Sequence, residues 1–281
     1  MYLKDSYVDL PKRWCQPCGI LVVSSEVLVL ALSIAQQKTS PEELQCRVEL
    51  AACHRLLAHF GIEDLTYNHI SARIPDQPDH LLIKPDDFLF RETTASSMWK
   101  YKLDGTPVGP DTGPMMETVK TIHAAVLEAR PEIGCVMHTH TPANIAVASQ
   151  KCGLLPISQH SVIFHNRVAY HDFKGFELEK GMRNALLDDL GDKNVVIMRN
   201  HGALVIAPTI AEAFLKHHFL EFACRAQVAA LAGGTELIIP DEDTAEFAAA
   251  QMEKYKLTEN GGKDWAACLR LADKLDASYR L

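Results

Sequence analysis

The sequence predicts one α/β domain, which begins at about residue 41 and extends to residue 281. Along this part of the chain, stretches with the apolar spacing of helices alternate with short apolar runs of strand length. Glycine and serine form no linker within it, and no segment is repeated. Because one domain of this length is common, these observations predict a single domain preceded by an N-terminal extension, residues 1–40.

Capping residues mark the predicted helices. Ser40 followed by Pro41 and two glutamates is typical of a helix start, and Gly61 marks the end of that helix. Further helices are predicted over 116–129, 141–150 and 208–231, and the chain after about residue 239 is predicted to be helical.

Strands are predicted from short runs of alternating or continuously apolar residues. These runs cover 67–73, 80–84, 99–103, 133–138, 195–198 and 204–207. Asp104-Gly105 follows the third run and predicts a hairpin with a type I′ turn.

The charge balance argues against a nucleic-acid partner. The chain carries a net charge of −8, its pI is near 5.9, and it has no block of lysine and arginine. Most of the eight cysteines lie in apolar surroundings, which is typical of reduced thiols in a cytoplasmic protein. Cys15 and Cys18 have the spacing of a redox dithiol, but no strand precedes them, so a chance pair is the favoured interpretation and a redox site the alternative.

An apolar run over 19–35 is the most ambiguous part of the N-terminal extension. It contains Ser24, Ser25 and Glu26 near its middle and has about the minimum length for a membrane helix. No clear signal-peptide cleavage site follows it. We predict a strand or helix packed on the body, with an interfacial anchor as the alternative, and no membrane span.

Two histidines, His138 and His140, end the buried strand predicted over 133–138. Residues i and i+2 of a strand share a face, so both imidazoles should project together. An ion needs a third ligand, and His201 is the best candidate because it follows another buried strand and precedes Gly202. Three histidines with open positions are typical of a catalytic metal site. The alternative is a solvated pair of strand histidines.

Six motifs between about residues 41 and 234 resemble, in order and spacing, those of the class II aldolase/adducin family. They are Tyr67-Asn68-His69-Ile70-Ser71-Ala72-Arg73, His123 with Ala129-Arg130-Pro131, Val136-Met137-His138-Thr139-His140, Gly153-Leu154-Leu155-Pro156-Ile157-Ser158, Tyr170-His171-Asp172 and Arg199-Asn200-His201-Gly202. The resemblance implies a three-layer α/β/α fold with a central, largely antiparallel sheet. It also implies a divalent metal ion on His138, His140 and His201, a small-molecule substrate and a homotetramer. Zinc is expected, with manganese or iron as alternatives.

The sequence departs from the sugar-phosphate aldolases of that family at their acid/base position. Those enzymes carry an acidic residue four positions before the histidine that matches His123, where this chain has Val119. Glu117 is the nearest carboxylate, but on a regular helix it lies about 200° away from Val119. Glu117 is therefore a catalytic candidate only if the helix starts later or contains an insertion. The alternative is a first-turn glutamate favoured by the helix dipole.

The loops that bind phosphate in those aldolases also differ. Asp86-Asp87 and Met115-Met116 stand where the aldolases carry Thr/Ser-Gly and Ser-Ser pairs. Phosphate binds to N–H groups, hydroxyls or cations, which carboxylates and thioethers do not provide. A sugar phosphate is therefore disfavoured, and the pattern resembles the non-aldolase branches: adducin-like proteins, decarboxylases and iron-dependent oxygenases.

Further candidates come from polar residues in the matching motifs. His165 and Tyr170 are predicted acid/base groups, with His160 as an alternative to His165, and Tyr170 could reach a neighbouring subunit's site. Asn68 and Ser71 match positions that line the family's substrate pocket. His171-Asp172 is otherwise predicted to be a structural pair, and His217-His218 to be solvated.

Together with the departures from the aldolases, the resemblance implies a metal-dependent lyase that cleaves a carbon–carbon bond of a non-phosphorylated carbonyl or carboxylate compound. Decarboxylation is favoured over aldol cleavage because it needs no base to begin. The alternatives are an adducin-like interaction module without enzymatic activity, which has no use for three retained ligands, and an Fe(II)-dependent oxygenase on the same three histidines.

Overall fold

One sheet organises the protein in the computed structural model, which describes residues 39–256 and 258–281. Its eight strands are β1 His69–Ile74, β2 Gln77–Ile83, β3 Trp99–Lys102, β4 Pro107–Val108, β5 Cys135–Thr139, β6 Val168–His171, β7 Val195–Met198 and β8 Gly202–Ala207. They are arranged in the order β4-β3-β2-β1-β5-β8-β7-β6. All neighbours are antiparallel except β6 and β7, so the predicted largely antiparallel sheet is confirmed.

Helix α1 precedes the first strand, and the other helices lie between the strands or after the last of them. They are α1 Pro41–His59, a π-helical turn Val119–Ala124 that continues into α2 Ala125–Ala129, α3 Pro142–Ala148, α4 Gln159–Val162, α5 Lys180–Leu190, α6 Ile210–Ala232, α7 Glu242–Lys254 and α8 Asp264–Asp276. Short 3-10 turns lie at Phe90–Glu92, Glu259–Gly261 and Ala277–Arg280. Within the described ranges, none of these helices is both long and apolar enough to cross a membrane.

Both faces of the sheet are covered, which completes the predicted three layers. Cys135 and Met137 of β5 pack with α1, α6 and α8 on one face. Val136, between them, packs with the π-helical turn, α2 and α5 on the opposite face. This alternation follows from the two-residue period of a strand. A polar side chain at the end of β5 is therefore assigned to one face by whether its position is odd or even.

Local sequence explains where α1 begins. The Ser40 side chain accepts a hydrogen bond from the Glu43 N–H at 3.1 Å, and Pro41 occupies the first turn, as predicted. Glu43 is itself buried between Arg47 and Lys100, at 2.8 and 2.6 Å. The pair with Lys100 joins α1 to β3.

The structure corrects one expectation about the fold, adds two elements that were not predicted, and does not describe some of the residues discussed above. The β3–β4 hairpin is present, but its turn is not type I′, because only Gly105 has positive φ and the Lys102 carbonyl accepts the Gly105 N–H. Strand β6 and helix α5 were not predicted. Cys15, Cys18 and the apolar run over 19–35 lie outside the described residues.

Candidate metal centre

Three histidines converge at the open end of β5. His138 is on the strand, His140 follows it, and both project from one face, as the two-residue spacing predicts. His201 reaches them from the turn between β7 and β8. The Nε2 atom of His138 lies 2.8 Å from that of His140 and 3.2 Å from that of His201. Among the described residues, these three form the only group of potential ligands close enough to hold one ion.

Backbone geometry brings the turn close to β5. Asn200 adopts a positive φ of 55°, and His201 follows it directly. A Cβ atom on Gly202 would lie 2.4 Å from the Thr139 carbonyl oxygen and 3.0 Å from the His140 ring. Only glycine allows this close approach, which explains the residue that follows the third histidine.

In His138 and His140, the Nδ1 atom, which points away from the converging Nε2 atoms, faces a hydrogen-bond acceptor. Nδ1 of His138 donates to the Ala203 carbonyl at 3.1 Å, and Nδ1 of His140 lies 3.3 Å from the Asp64 carboxylate. In a neutral ring, a proton on Nδ1 leaves a lone pair on Nε2. The two Nε2 lone pairs therefore face each other, an arrangement that a cation would stabilise. Ligand nitrogens on a tetrahedral ion at zinc-like distances are about 3.3 Å apart, so the residues fit a divalent metal ion.

Burial keeps these rings neutral. Desolvation lowers the pKa of His138 well below its ordinary value, and lowers the pKa of His201 to about 4. It also lowers the pKa of His140, although Asp64 partly opposes the effect. Neutral imidazole is the form that binds metals, so the site is ready for an ion at neutral pH.

A chain of buried side chains stands beside the three histidines on the same face of the sheet. His69 lies opposite His138 in the β1–β5 register, and their ring centroids are 5.2 Å apart. Nδ1 of His69 is 2.7 Å from Nε2 of His123, whose Nδ1 is 2.7 Å from the Ser71 hydroxyl. Asn68 completes this edge, because its side-chain oxygen accepts the His140 N–H at 2.8 Å.

Comparison with known proteins decides the family. The model of the Class II Aldolase and Adducin N-terminal domain matches residues 48–228. The crystal structure of an aldolase II superfamily protein from Pseudomonas syringae is 39% identical, with a TM-score of 0.81, covering 88% of this chain and 100% of that one. The chain belongs to the class II aldolase/adducin family. The resemblance found in the motifs is thereby confirmed.

Two further members show the breadth of this class II aldolase/adducin family. Alpha-adducin from Rattus norvegicus is 40% identical over 198 residues, which cover 69% of this chain and 27% of the adducin. The L-fuculose 1-phosphate aldolase from Glaciozyma antarctica is 25% identical, with a TM-score of 0.75, and the match covers 87% of this chain and 95% of that one. The family therefore includes both a sugar-phosphate aldolase and an adducin among the relatives of this chain.

The polar partners of the predicted acid/base residues are groups other than the three histidines. A π-helical turn does supply an insertion near Glu117, but the Glu117 carboxylate is 49% exposed and pairs with Lys120 at 2.6 Å. Nε2 of His165 lies 3.0 Å from Glu242. The Tyr170 hydroxyl accepts the Leu154 N–H at 3.0 Å. Within one chain, these roles remain predictions.

The predicted substrate residues support the site's framework. Asn68 holds the backbone of His140, and Ser71 bonds to His123. The side-chain amide of Asn68 is buried and has no hydrogen-bond partner among residues 39–256 and 258–281. A substrate role for Asn68 and Ser71 therefore remains a prediction, whereas their positioning of histidines is observed.

Two other expectations about histidines are wrong. His217 was predicted to be solvated, but it is fully buried and its Nε2 lies 2.6 Å from the Thr139 hydroxyl, because this side of α6 faces the sheet. His171 does not pair with Asp172, which is exposed. It lies 2.7 Å from Asp189 and 3.5 Å from Glu177 instead.

Sequence reasoning missed His69 and Asp64 as parts of the site. His69 was visible within the Asn68-His69-Ile70-Ser71 motif, and the strand pairing that sets it opposite His138 explains its role. Asp64 lies in the segment between α1 and β1, where no local pattern marked it.

Proposed function

We propose that the protein is a metal-dependent carbon–carbon lyase that acts on a small, non-phosphorylated carbonyl or carboxylate compound, with decarboxylation favoured over aldol cleavage. The observation that carries this proposal is the convergence of three neutral histidine Nε2 atoms. A divalent ion held there would act as a Lewis acid on a substrate oxygen and stabilise negative charge left by bond cleavage. Zinc suits three nitrogen ligands, and manganese or iron are alternatives.

Acid/base geometry favours decarboxylation. An aldol cleavage begins with loss of a hydroxyl proton to a nearby base, and Glu117 is directed to Lys120 and solvent. Loss of CO₂ from a bound acid needs no such base. The proton that completes the reaction would come from a group at the metal centre or from solvent, which reaches it through the partly exposed His140 and His201.

The loops that correspond to the phosphate-binding loops of the aldolases support a substrate without phosphate. Asp86 and Asp87 are exposed carboxylates, and Met115 is buried in the core. Lys84 is the cation beside this loop, but its amine donates to the carbonyl oxygens of Thr66 and Pro85, at 3.0 and 3.1 Å. Its role there is to brace the loop.

Exposed apolar side chains support an oligomer, for which we propose a homotetramer. Phe173, Phe176 and Leu178 are exposed on the segment between β6 and α5, and the Phe173 ring lies 6.3 Å from that of His201. A subunit packed there would lie beside the metal centre.

The six cysteines at positions 46, 53, 135, 152, 224 and 268 are free thiols, which supports a reducing compartment such as the cytoplasm.

The test is an assay of hydroxy-aromatic acids and keto acids for CO₂ release, with and without oxygen. The Glu117→Gln variant should alter the rate little, like the control Glu236→Gln, because the decarboxylase needs no base at that position. Loss of turnover in Glu117→Gln alone would contradict the decarboxylase and favour an aldolase. CO₂ release only in oxygen would favour the Fe(II) oxygenase.

A second assay addresses the substrate class. A phosphorylated sugar analogue should compete no better than its dephosphorylated form, and tight inhibition by the phosphorylated compound alone would contradict the proposal. No turnover of any acid or hydroxy-ketone by the metal-loaded protein would favour the adducin-like interaction module.

A further inference from the structure

His69 is oriented like the candidate metal ligands but is not one of them. Like His138 and His140, it has Nδ1 engaged by a protein partner, here His123 at 2.7 Å, which leaves Nε2 as its remaining polar atom. Its side chain is directed to the same face of the sheet as His138, because the two residues are paired across β1 and β5. Within residues 39–256 and 258–281, no hydrogen bond involves the Nε2 atom of His69.

The position of His69 is too distant for a fourth ligand of the same ion. The His69 ring lies beside the three candidate ligands, 5.2 Å from the ring centroid of His138, but the ligand atoms that all lie within 4.8 Å of one another are those of His138, His140 and His201. Among the described residues, the group that could share one ion contains only His138, His140 and His201. A ring beside this group, rather than within it, can contact an atom that is bound to the metal.

The hydrogen-bond chain behind His69 can run in either of two directions. Both rings are buried, and a neutral imidazole carries one N–H and one lone pair. If Ser71 donates to Nδ1 of His123, then His123 donates to His69, and the Nε2–H of His69 becomes a donor. With the opposite direction, the same Nε2 becomes an acceptor. The number of protons is the same in both arrangements.

We infer that Nε2 of His69 makes a hydrogen bond to an oxygen atom of the ligand bound at the metal centre, and that His123 and Ser71 are the positioning residues that hold it there. The inference rests on the proposed metal centre and names a contact to the substrate. A negatively charged oxygen would take the N–H donor, and a substrate hydroxyl would meet the acceptor.

The test uses the full chain loaded with Co²⁺ and titrated with acetohydroxamate, which chelates the metal through two oxygens and changes its visible spectrum. Replacing His69 with Phe keeps a ring of similar shape and removes the hydrogen bond. We expect His69→Phe to retain one equivalent of Co²⁺ and to bind acetohydroxamate about 10- to 100-fold more weakly, since hydrogen bonds to charged groups contribute at this level. Near-UV circular dichroism verifies the fold.

Companion variants make the result specific. His69→Gln keeps a donor and an acceptor and should lose less affinity than His69→Phe, and it serves as the measurement if the Phe variant does not fold. Ser71→Ala should weaken binding by a smaller factor, and the exposed His59→Ala should bind as wild type.

Three outcomes would overturn the inference. If His69→Phe binds acetohydroxamate as tightly as wild type, His69 does not contact the ligand. If the Gln and Phe variants lose the same affinity, the loss is a packing effect and the proposed hydrogen bond is absent. Loss of Co²⁺ from His69→Phe would make His69 a ligand instead. If wild type binds no Co²⁺, the proposed metal centre fails together with this contact, whereas the other outcomes leave the metal centre intact.

Discussion

The two faces of the sheet meet different environments at the end of β5. On one face, His138 and His140 stand with His69 and His123; on the other, Thr139 packs against His217 of α6. Histidine is fully buried on both faces, and burial lowers its pKa on both: to about 3 for His123 and about 4 for His217. Burial and a lowered pKa therefore do not distinguish a binding site from a structural contact.

Hydrogen-bond partners make the distinction. The Thr139 hydroxyl lies 2.6 Å from Nε2 of His217 and accepts the Asn144 amide at 3.1 Å, so this hydroxyl and this Nε2 have partners, whereas Nδ1 of His217 is buried without one among the described residues. On the opposite face, the Nε2 atoms of His138 and His140 meet at 2.8 Å with both of their Nδ1 atoms directed to acceptors. Converging acceptors without a donor are a mark of a cation site, whereas matched pairs are a mark of a structural core.

Removing the converging pair should produce the largest effect. The double variant His138→Ala, His140→Ala should lose essentially all bound metal, because one remaining imidazole cannot hold an ion. Its fold should be retained, since the change removes two facing lone pairs and loses only the Nδ1 contacts to the Ala203 carbonyl and Asp64. Metal content after gel filtration, with circular dichroism, is the measurement, and His59→Ala is the control. Stoichiometric metal in the double variant would show that the three histidines are not the site.

Removing the matched partner should have the opposite signature. His217→Ala leaves a cavity and takes a hydrogen-bond partner from Thr139, which should lower the free energy of unfolding by about 2–4 kcal/mol. The variant should still bind one metal ion, because His217 lies behind the sheet. Urea unfolding of metal-free protein and metal content test both statements. If His217→Ala lost its metal but kept its stability, His217 would belong to the metal site rather than to the structural core.

The metal-binding face was predictable because its signals are local. The period of a strand assigns His138 and His140 to one face, and a glycine after His201 marks a turn at a second strand end. The contact of His217 was not predictable, because α6 is apolar on most sides and nothing in the sequence tells which of two adjacent histidines faces the sheet. Tertiary packing also decided the place of Asp64 and the direction of Glu117.

The burial of neutral His217 should make the free energy of unfolding depend on pH in mildly acidic solution. Its pKa is lowered by burial to about 4, below the ordinary value of about 6.5, so the unfolded chain binds the extra proton between these values. Stability supplied by neutral His217 is present above about pH 6.5 and decreases by about 1.4 kcal/mol per pH unit as the pH falls toward 4. Replacing His217 with Gln should make the unfolding free energy of metal-free protein less steep over this range by that amount. An unchanged slope would contradict a buried, neutral His217.

The smallest expected effect is on metal affinity, from the acceptors that bond to Nδ1 of His138 and His140. His138 is anchored by the Ala203 carbonyl, which a side-chain substitution cannot remove, but His140 depends on Asp64 at 3.3 Å. Asp64→Asn keeps an acceptor oxygen and removes the charge that makes the ring a stronger ligand, so metal affinity should fall about tenfold, at the low end for an outer-shell contact. The effect is limited because the Asp64 side chain is 41% exposed to solvent.

Competition with a chromophoric chelator measures that affinity. Glu63→Gln is the matched control, because it removes the same charge from the adjacent residue, which pairs with Arg91. If both variants bind more weakly to the same extent, the contribution of Asp64 is long-range charge rather than orientation of His140. If neither differs from wild type, the arrangement of lone pairs on the metal-binding face does not depend on this anchor. A decrease confined to Asp64→Asn would instead show that the convergence of Nε2 atoms is maintained from outside the ligand set.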